Sequence, residues 1–363
     1  MKYTFEVSIA GCNTQCAHCY VSGGKAPVMA HADYLFAICY LKEVFDGLGG
    51  DISLTIGNEI FNHPNIADII TQTHDLMPEH FSYNGFAVPT TGIALMNRED
   101  RGEIVAALKQ AGCTQAMLTL HGNQEHQTFI TKNRNSFRAV IAAAAFFREN
   151  GITPRFNLML NKYLVADWAE IVEVLAAFHD ARKSVTIPLY MPVKRLRDFQ
   201  TLRASYEDCL ALYDKLDLLG IDGEDFREEV ESFNDESVRG LLLKEACFDY
   251  AEQERKSPQW AFFHLDRRLD LFYGNVGAGT MRLGSIKTTP AREMAEKIKG
   301  LPANYDWSAF YDVEELPKIR QLLAARRPDT SNLVYPSIND CIYRWLDEIN
   351  HPSILLPMPE GAI

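Results

Sequence analysis

The sequence predicts an α/β fold built from six consecutive strand–helix units. Short runs rich in β-branched residues alternate with amphipathic helical patterns over roughly the first two hundred residues. Gly112 and Gly151 directly follow two of the helical patterns, as glycines that end helices do. Six such units in a row require a parallel sheet with right-handed crossovers. An open sheet and a partial barrel fit this periodicity equally well.

The elements follow one another in a regular order. The predicted strands, which are short apolar runs with β-branched and aromatic residues, cover residues 3–9, 51–56, 82–89, 115–120, 153–160 and 184–190. The predicted helices, in which apolar residues recur every three or four positions, cover residues 31–48, 64–77, 98–111, 136–150 and 166–181. The pattern then changes to a helix over 205–219, an acidic stretch over 221–237 and a strand or hairpin arm over 262–272. We therefore expect two parts, 1–203 and 204–363, with ligands at the carboxyl ends of the strands of the first part.

The composition is that of an ordinary globular protein, with 363 residues of which 47% are hydrophobic and 23% charged. Acidic residues outnumber basic ones by 48 to 36. The net charge of −12 argues against nucleic-acid and anionic-membrane partners. No long apolar run predicts a membrane-spanning helix, and Glu6 interrupts the apolar start of the chain, so no secretory signal is expected. We therefore expect a cytoplasmic protein with reduced thiols.

Three of the eight cysteines lie together directly after the first predicted strand, at Cys12, Cys16 and Cys19. Three kinds of site fit this spacing. A structural zinc site would need a fourth ligand, such as His18 or His31. A thioredoxin-like dithiol would use Cys16 and Cys19 and leave Cys12 without a role. Three thiolates would also hold a four-iron cubane that keeps one iron open for another ligand.

The segment from Cys12 to Cys19 resembles the signature of the radical S-adenosylmethionine (SAM) superfamily, which is CxxxCxxC with an aromatic residue before the last cysteine. His18 takes the aromatic place and Tyr20 follows the motif. The resemblance implies a partial (β/α)6 TIM-like barrel whose [4Fe–4S] cluster is bound by Cys12, Cys16 and Cys19. It also implies that SAM accepts one electron and breaks to a 5′-deoxyadenosyl radical, which abstracts hydrogen from a substrate.

Further segments resemble the SAM-binding segments of this family. Gly57, Asn58 and Glu59 follow the second predicted strand and are similar to the family's Gly-Gly-Glu-Pro motif, whose backbone binds the SAM amino group. By similarity to peptide-modifying members, the candidate contacts to the SAM ribose and carboxylate are Thr119, Arg134, Ser136 and Asn157. Each of these four could instead cap a helix or lie in solvent. Tyr190, near the end of the sixth predicted strand, is a candidate contact for adenine or substrate.

The chain around the predicted strand at 262–272 resembles the core of a SPASM or twitch region, which in this family carries auxiliary iron–sulfur clusters. Beyond residue 210 the cysteines are Cys247 and Cys341, and two thiols are too few for such a cluster. We therefore expect a cluster-free α+β region that covers the substrate. Cys247 is the candidate hydrogen donor for an epimerisation, with a buried packing role as the alternative. Three further cysteines are expected to pack in the core: Cys39, Cys113 and Cys209.

The resemblance implies a radical SAM enzyme, and we expect its substrate to be a small natural-product intermediate such as a sugar, nucleoside or amino acid. Rearrangement, elimination, decarboxylation and epimerisation are the expected reaction types. Because the first strand begins at Tyr3, no peptide-recognition domain is expected before it, although maturation of a ribosomal peptide stays open. A flavodoxin- or ferredoxin-type electron donor is also implied. A zinc-binding or thiol-redox protein on a barrel scaffold is the alternative from another class.

Overall fold

The computed structural model describes residues 2–19, 23–57, 59–83, 86–190, 194–243, 260–274, 281–301, 321 and 332–348. Within these ranges the strands are β1 Lys2–Ser8, β2 Asp51–Gly57, β3 Ala87–Thr90, β4 Gln115–Leu120, β5 Thr153–Met159, β6 Arg182–Thr186, β7 Trp260–Leu265, β8 Asp270–Tyr273 and β9 Met281–Ser285. The α-helices are His31–Leu48, Ile66–Leu76, Ile93–Met96, Arg101–Gln110, Gln124–Thr131, Ser136–Glu149, Lys162–Ala166, Trp168–Ala176, Lys194–Phe199, Tyr206–Tyr213, Glu224–Ser232, Asp235–Leu243, Ala291–Lys299 and Ile338–Glu348. Short 3-10 helices cover Ile60–Asn62, Gln200–Leu202 and Leu216–Leu219.

The strands form two sheets that line one cavity. In the first sheet β1 pairs in parallel with β2 and with β7, and β8 and β9 continue from β7 as antiparallel strands. The second sheet contains β3, β4, β5 and β6, all parallel and in chain order. Strands β1 to β6 therefore follow one another around a partial barrel whose strand pairing is interrupted between β2 and β3. The predicted α/β class and partial barrel are confirmed.

Alternation along β1 separates the hydrophobic core from the barrel interior. Phe5 is buried on the outer face, where its ring lies 4.7 Å from Phe45 of the first helix and 4.6 Å from Phe263 of β7. Burial of one such side chain contributes roughly 1.5–3 kcal/mol to the free energy of unfolding. Because successive side chains of a strand point to opposite faces, the next residue, Glu6, faces the interior and lines the cavity.

The part of the chain beyond residue 203 supplies a strand and a helix to the barrel. β7 pairs with β1 along most of its length, so it extends the first sheet on the side opposite β2. The helix Ala291–Lys299 packs on the helix His31–Leu48. A Cβ at Gly47 would stand 3.0 Å from the Cβ of Ala295, so a glycine allows the two helices to approach closely. The division of the chain at residue 203 stays a prediction, and the sheet runs across it.

Two predicted strands are shorter than expected. β3 begins only at Ala87, because the loop before it binds elsewhere: the Tyr83 N–H donates to the Ala111 carbonyl at 2.9 Å. β6 ends at Thr186, since Pro188 has no N–H to donate to a neighbouring strand. The hairpin arm expected over 262–272 is confirmed as the hairpin of β7 and β8.

The helix Gln124–Thr131 is among the helices that were not predicted from the sequence. Gln124–Thr131 directly follows β4, and Asn123 caps it by accepting the N–H groups of Glu125 and His126. Two of its buried residues, Gln127 and Thr131, are polar. The helix therefore lacks the regular spacing of apolar residues from which helices were predicted, although Asn123 at its N-cap is a recognisable start signal.

Two other expectations were wrong in detail. The helix predicted over 166–181 is shorter, Trp168–Ala176, and a separate helix, Lys162–Ala166, precedes it. Asp167 lies between the two helices, and its carboxylate accepts the Asn123 N–H at 2.8 Å. Cys39 is exposed rather than packed, because the buried face of its helix contains positions 37, 38, 40 and 41 and residue 39 points away. Cys113 and Cys209 are buried as expected. Throughout the described ranges, every helix is too short or too polar to cross a membrane.

Candidate active site

A cavity of about 1310 Å³ is lined by the barrel interior and the carboxyl ends of its strands. Its wall includes the loop after β1, the ends of β2 and β4, and the turn after β7. Parallel strands bring their carboxyl ends to one edge, which is where barrels and open sheets bind ligands. The predicted site residues that line it are Cys12, Cys16, His18, Cys19, Gly57, Glu59, Thr119 and Ser136.

The loop after β1 closes on itself and presents the three cysteines. The Cys12 N–H donates to the Gly24 carbonyl, and the Met29 N–H donates to the Ile9 carbonyl, both at 2.8 Å. A Cβ at Gly11 would stand only 2.4 Å from the Gly24 oxygen. Glycine is therefore required at position 11 for the two arms of the loop to meet.

The same loop is held from the other side by the helix Gln124–Thr131. The Gln15 N–H donates to the Thr131 carbonyl at 2.9 Å, and the Ala17 N–H donates to the Ile130 carbonyl at 3.0 Å. Carbonyls in the last turn of a helix have no partner within the helix. The cysteine loop supplies those partners, so its position depends on the end of this helix.

Polar groups surround the three thiols. The Thr14 hydroxyl lies 3.1 Å from Cys12 Sγ and 3.3 Å from Cys16 Sγ. The Gly23 N–H donates to Cys19 Sγ at 3.0 Å. Burial raises the pKa of the Cys12 thiol and raises the pKa of the Cys16 thiol to about 12, in each case more than the Thr14 hydrogen bond lowers it. Both thiols are therefore protonated at neutral pH until a metal centre displaces the protons.

The donor set fits an iron–sulfur cluster. Thiolates are the ligands of such clusters, and three of them leave one iron without a protein ligand. Hydroxyl and N–H groups beside the sulfur atoms are the partners that tune these centres. Within the described ranges, no three His, Cys, Asp or Glu side chains stand close enough together to share one metal ion. Thiolates that bind three different irons of a cubane stand farther apart than the ligands of a single ion.

His18 lies against a second histidine. Its ring centroid is 4.6 Å from that of His121 and 5.9 Å from that of Phe199. Burial, with a smaller effect of the Arg203 guanidinium, lowers the pKa of His18 to about 4. Burial, with a smaller effect of His18, lowers the pKa of His121 well below its usual value. Both rings are therefore neutral at physiological pH and present flat, uncharged surfaces to the cavity.

Gly57 ends β2, and the buried carboxylate of Glu59 follows two residues later. A Cβ at Gly57 would stand only 2.3 Å from the carboxyl carbon of Glu6. Glycine at position 57 therefore leaves room for the Glu6 carboxylate. Glu59 accepts the Thr90 hydroxyl at 2.8 Å. Its other oxygen accepts the Thr91 N–H at 2.6 Å and the Thr91 hydroxyl at 2.7 Å. Burial raises the pKa of Glu59 more than these hydrogen bonds lower it. Glu59 thus joins the ends of β2 and β3.

Thr119 and Ser136 lie on the wall beside β4. The Ser136 hydroxyl is 2.7 Å from the Thr131 hydroxyl and donates to the Asn133 carbonyl at 2.8 Å. The Thr119 carbonyl accepts the Gln127 side-chain amide at 3.2 Å. Hydrogen bonds therefore connect both predicted residues to the helix Gln124–Thr131, which also binds the cysteine loop.

Three predicted contacts to SAM or substrate do not line the cavity. Arg134 is exposed to solvent. Asn157 on β5 accepts the Thr186 hydroxyl through its own side-chain oxygen. Tyr190 is buried against the C-terminal helix, where its hydroxyl donates to Asp347 at 2.5 Å. None of these contacts assigns a ligand to the three residues, so their predicted contacts to SAM or substrate stay predictions. The remaining predicted residues lie outside the described ranges: Tyr20, Asn58 and Cys247.

The cavity also contains residues that the sequence pattern did not single out. Glu6 of β1 and His264 of β7 are cross-strand neighbours, with Oε1 and Nδ1 3.6 Å apart. Among the described residues, the buried side-chain polar atoms without a hydrogen-bond partner are Nδ1 of His18, His121 and His264 and the hydroxyl of Tyr83. All four side chains line this one cavity. Because buried polar atoms normally have partners, their clustering indicates a site built for a polar ligand.

Solved structures of similar fold include radical SAM enzymes. SuiB of Streptococcus suis bound to the precursor peptide SuiA has 12% sequence identity and a TM-score of 0.51, with 83% of this chain and 67% of SuiB covered. Native anSMEcpe with bound AdoMet and the Cp18Cys peptide has the same identity and TM-score over 98% of both chains. At this level of identity the likeness concerns the fold alone. No curated protein matches the chain significantly.

The family match comes from the sequence itself. Residues 7–175 match the family model of the Radical SAM superfamily. The matched stretch contains the cysteine loop, the variant glycine motif after β2 and the wall beside β4. These are the segments that the structure brings to one cavity. The chain therefore contains a Radical SAM domain over residues 7–175, and the enzymes of this superfamily use a [4Fe–4S] cluster and S-adenosylmethionine.

Proposed function

We propose that the chain binds its cluster through Cys12, Cys16 and Cys19 and acts on a small polar molecule held in the barrel cavity. When bound, the cluster and SAM supply a 5′-deoxyadenosyl radical, which removes a hydrogen atom from a C–H bond of the substrate. The substrate class is a sugar, nucleoside or amino acid of natural-product biosynthesis. Rearrangement, elimination, decarboxylation and epimerisation are the candidate outcomes.

The observation that carries this proposal is the shared cavity. The three thiols and the four buried polar atoms without a protein partner all belong to residues that line it. Its volume of about 1310 Å³ exceeds the roughly 300–1,000 Å³ of an ordinary ligand pocket. The space is therefore large enough for SAM and a second small molecule side by side.

The protein's own residues hold and orient the reactants in this proposal. Thr14 and Gly23 hold the thiols, and Glu59 fixes the end of β2 against β3. The backbone at Gly57 is the proposed contact for the SAM amino group. The neutral ring of His18 is the proposed contact for adenine.

Maturation of a ribosomal peptide is the second candidate. Two structural neighbours of similar fold are complexes with peptides, SuiB with SuiA and anSMEcpe with Cp18Cys. The small-molecule proposal is favoured because β7 and the turn after it form part of the cavity wall next to β1. An extended peptide would need an open path through that wall.

The first experiment is anaerobic purification and reconstitution with iron and sulfide, followed by addition of SAM and dithionite. We expect about four irons per chain and release of 5′-deoxyadenosine. About eight irons would instead indicate a second cluster in the C-terminal part. Bound zinc without nucleoside release would support the zinc-binding or thiol-redox alternative. A flavodoxin or ferredoxin is the proposed physiological replacement for dithionite.

Cysteine variants test the assignment of the cluster ligands. Cys12→Ala, Cys16→Ala and Cys19→Ala are each expected to abolish 5′-deoxyadenosine release and to lower the bound iron. Cys39→Ala is the matched control, because Cys39 is exposed on the first helix, and it is expected to retain both. Disulfide exchange that survives the loss of Cys12 would contradict the proposal in favour of a Cys16–Cys19 dithiol.

A further inference from the structure

We propose that Glu6 and His264 form a subsite that binds a cationic amine of the substrate. The inference rests on the proposed function, since it names the substrate group that this cavity recognises. An amino sugar, an amino acid side chain or another primary amine would present such a group. The subsite lies on two strands that the sequence places far apart, β1 and β7.

The geometry leaves both side chains available to a ligand. The Glu6 side chain is 37% exposed and faces the cavity, whereas the His264 side chain is only 8% exposed. Their closest atoms are 3.6 Å apart, which is too long for a hydrogen bond. Nδ1 of His264 is buried without a hydrogen-bond partner. No lysine or arginine of the described residues forms a salt bridge with Glu6.

The position of Glu6 places this subsite next to the proposed SAM contact. Its carboxyl carbon would stand 2.3 Å from a Cβ at Gly57, so the carboxylate lies directly against the end of β2. An amine bound there would bring the carbon atoms next to it close to the cofactor site. A subsite in that place can orient a substrate for hydrogen abstraction.

The electrostatics favour a cation over a neutral group. A carboxylate that pairs with no lysine or arginine of the described residues gains more from a cationic ligand than from a neutral one. Charge-assisted hydrogen bonds are about twice as strong as neutral ones. The buried Nδ1 of His264, which has no hydrogen-bond partner, is a second polar atom that the bound group can contact.

The test is isothermal titration calorimetry on the reconstituted protein with SAM and without reductant. The probes are glucosamine and Nα-acetyllysine, each compared with a counterpart that lacks the amine, glucose or Nα-acetylnorleucine. At least one amine is expected to bind wild-type protein about tenfold more tightly than its counterpart, or about 1.4 kcal/mol. In Glu6→Gln this preference is expected to fall below about twofold. Glu103→Gln, which removes an exposed carboxylate on the helix Arg101–Gln110, is expected to keep it.

Two outcomes would overturn the subsite: equal binding of both amines and their counterparts by wild-type protein, or a preference that survives in Glu6→Gln. If Glu6→Gln does not fold, His264→Gln serves as the second variant and is expected to weaken amine binding. The wild-type sample is also reduced with dithionite. Release of 5′-deoxyadenosine without an amine preference would overturn the subsite and leave the proposed function standing. Absence of both iron and nucleoside would overturn the proposed function itself.

Discussion

The Thr14 side chain contacts two of the three thiols in the cysteine loop. It is buried, and its hydroxyl lies within 3.3 Å of both Cys12 Sγ and Cys16 Sγ. A hydroxyl in that place can donate to a thiolate and so spread part of its negative charge. Hydrogen bonds to cluster sulfurs favour the more negative, reduced state and therefore raise the reduction potential.

Thr14→Val is expected to lower the reduction potential of the reconstituted cluster, on the order of tens of millivolts. The variant keeps the volume of the side chain and removes the hydroxyl. Thr14→Ser keeps the hydroxyl and is the matched control, with a potential close to that of the wild type. A redox titration monitored by electron paramagnetic resonance measures the shift. An unchanged potential in Thr14→Val would show that the hydroxyl does not act on the cluster.

Glu59→Gln is expected to lower the free energy of unfolding by about 1.5–3 kcal/mol. Both carboxylate oxygens of Glu59 accept hydrogen bonds, from Thr90 and from the backbone and side chain of Thr91. In Glu59→Gln, an amide nitrogen would replace one of these oxygens. That nitrogen is a hydrogen-bond donor, and it would face the donating groups of Thr90 or Thr91. Urea unfolding measures the change, with the exposed Glu103→Gln as the control. Equal stability of the two variants would contradict the role of Glu59 as a link between β2 and β3.

Among the elements, the helix Gln124–Thr131 decides where the cysteine loop lies. Backbone carbonyls of its last turn accept the N–H groups of Gln15 and Ala17. Just beyond the helix, the Asn133 side-chain amide donates to the Asn13 carbonyl at 3.0 Å. The loop has no helix or strand of its own between β1 and the helix His31–Leu48 in the described ranges. Its order therefore depends on these contacts to a neighbouring element.

Asn133→Ala is expected to increase amide hydrogen exchange in the cysteine loop at least several-fold, because it removes a side-chain anchor of that loop. Asn135→Ala is the matched control, since the Asn135 side chain makes no capping hydrogen bond. Hydrogen exchange measured by mass spectrometry on peptides that span the loop compares the two. Equal protection in both variants would place the anchor elsewhere, in the backbone contacts of Gln15 and Ala17.

For the whole molecule, Arg203 connects the end of β6 with the C-terminal part of the chain. Its buried guanidinium donates to the carbonyls of Pro188, Leu189 and Val334, at 2.7, 3.0 and 3.0 Å. Close by, the Tyr190 N–H donates to the Asp340 carboxylate at 2.5 Å. This contact explains why Tyr190 holds the C-terminal helix and does not line the cavity.

The Asp340 carboxyl group gives a pH-dependent contribution to stability. Burial raises its pKa to about 6, although hydrogen bonds from Ser337 and Tyr190 and the charge of Arg203 lower it. The folded chain therefore binds this proton more strongly than the unfolded chain, whose aspartate pKa is about 3.9. The contribution is fully present below about pH 4 and is lost as the pH rises through about 6, by at most about 3 kcal/mol.

Asp340→Asn is expected to remove that slope, since an amide does not titrate. Urea unfolding of wild-type protein and variant at several pH values between about 4 and 7 measures it. Relative to wild type, the variant is expected to gain stability as the pH rises across this interval. The exposed Asp198→Asn is the control and is expected to keep the wild-type profile. Parallel profiles for wild type and Asp340→Asn would contradict the raised pKa.

Several site residues could be predicted because their signal is local. The spacing of Cys12, Cys16 and Cys19 indicated a cluster, and these thiols do line one cavity. Arg134 and Asn157 matched a family segment, but Arg134 is exposed and the Asn157 side chain accepts the Thr186 hydroxyl, so their contacts to SAM stay predictions. A motif places a residue on a strand or loop without determining which neighbour its side chain contacts.

The resemblance of the cysteine motif to a family signature pointed to the radical SAM superfamily. The sequence by itself determined the order of strands β1 to β6 and the loop that presents the cysteines. These follow from hydrophobic periodicity and from short-range spacing, which act between residues near one another in the chain. The tertiary structure alone decided that β7 pairs with β1 and so brings His264 to Glu6. It also decided that the sheet breaks between β2 and β3. Strand pairing uses backbone groups that every residue has, so the choice of partner depends on which surfaces pack together once the chain has folded.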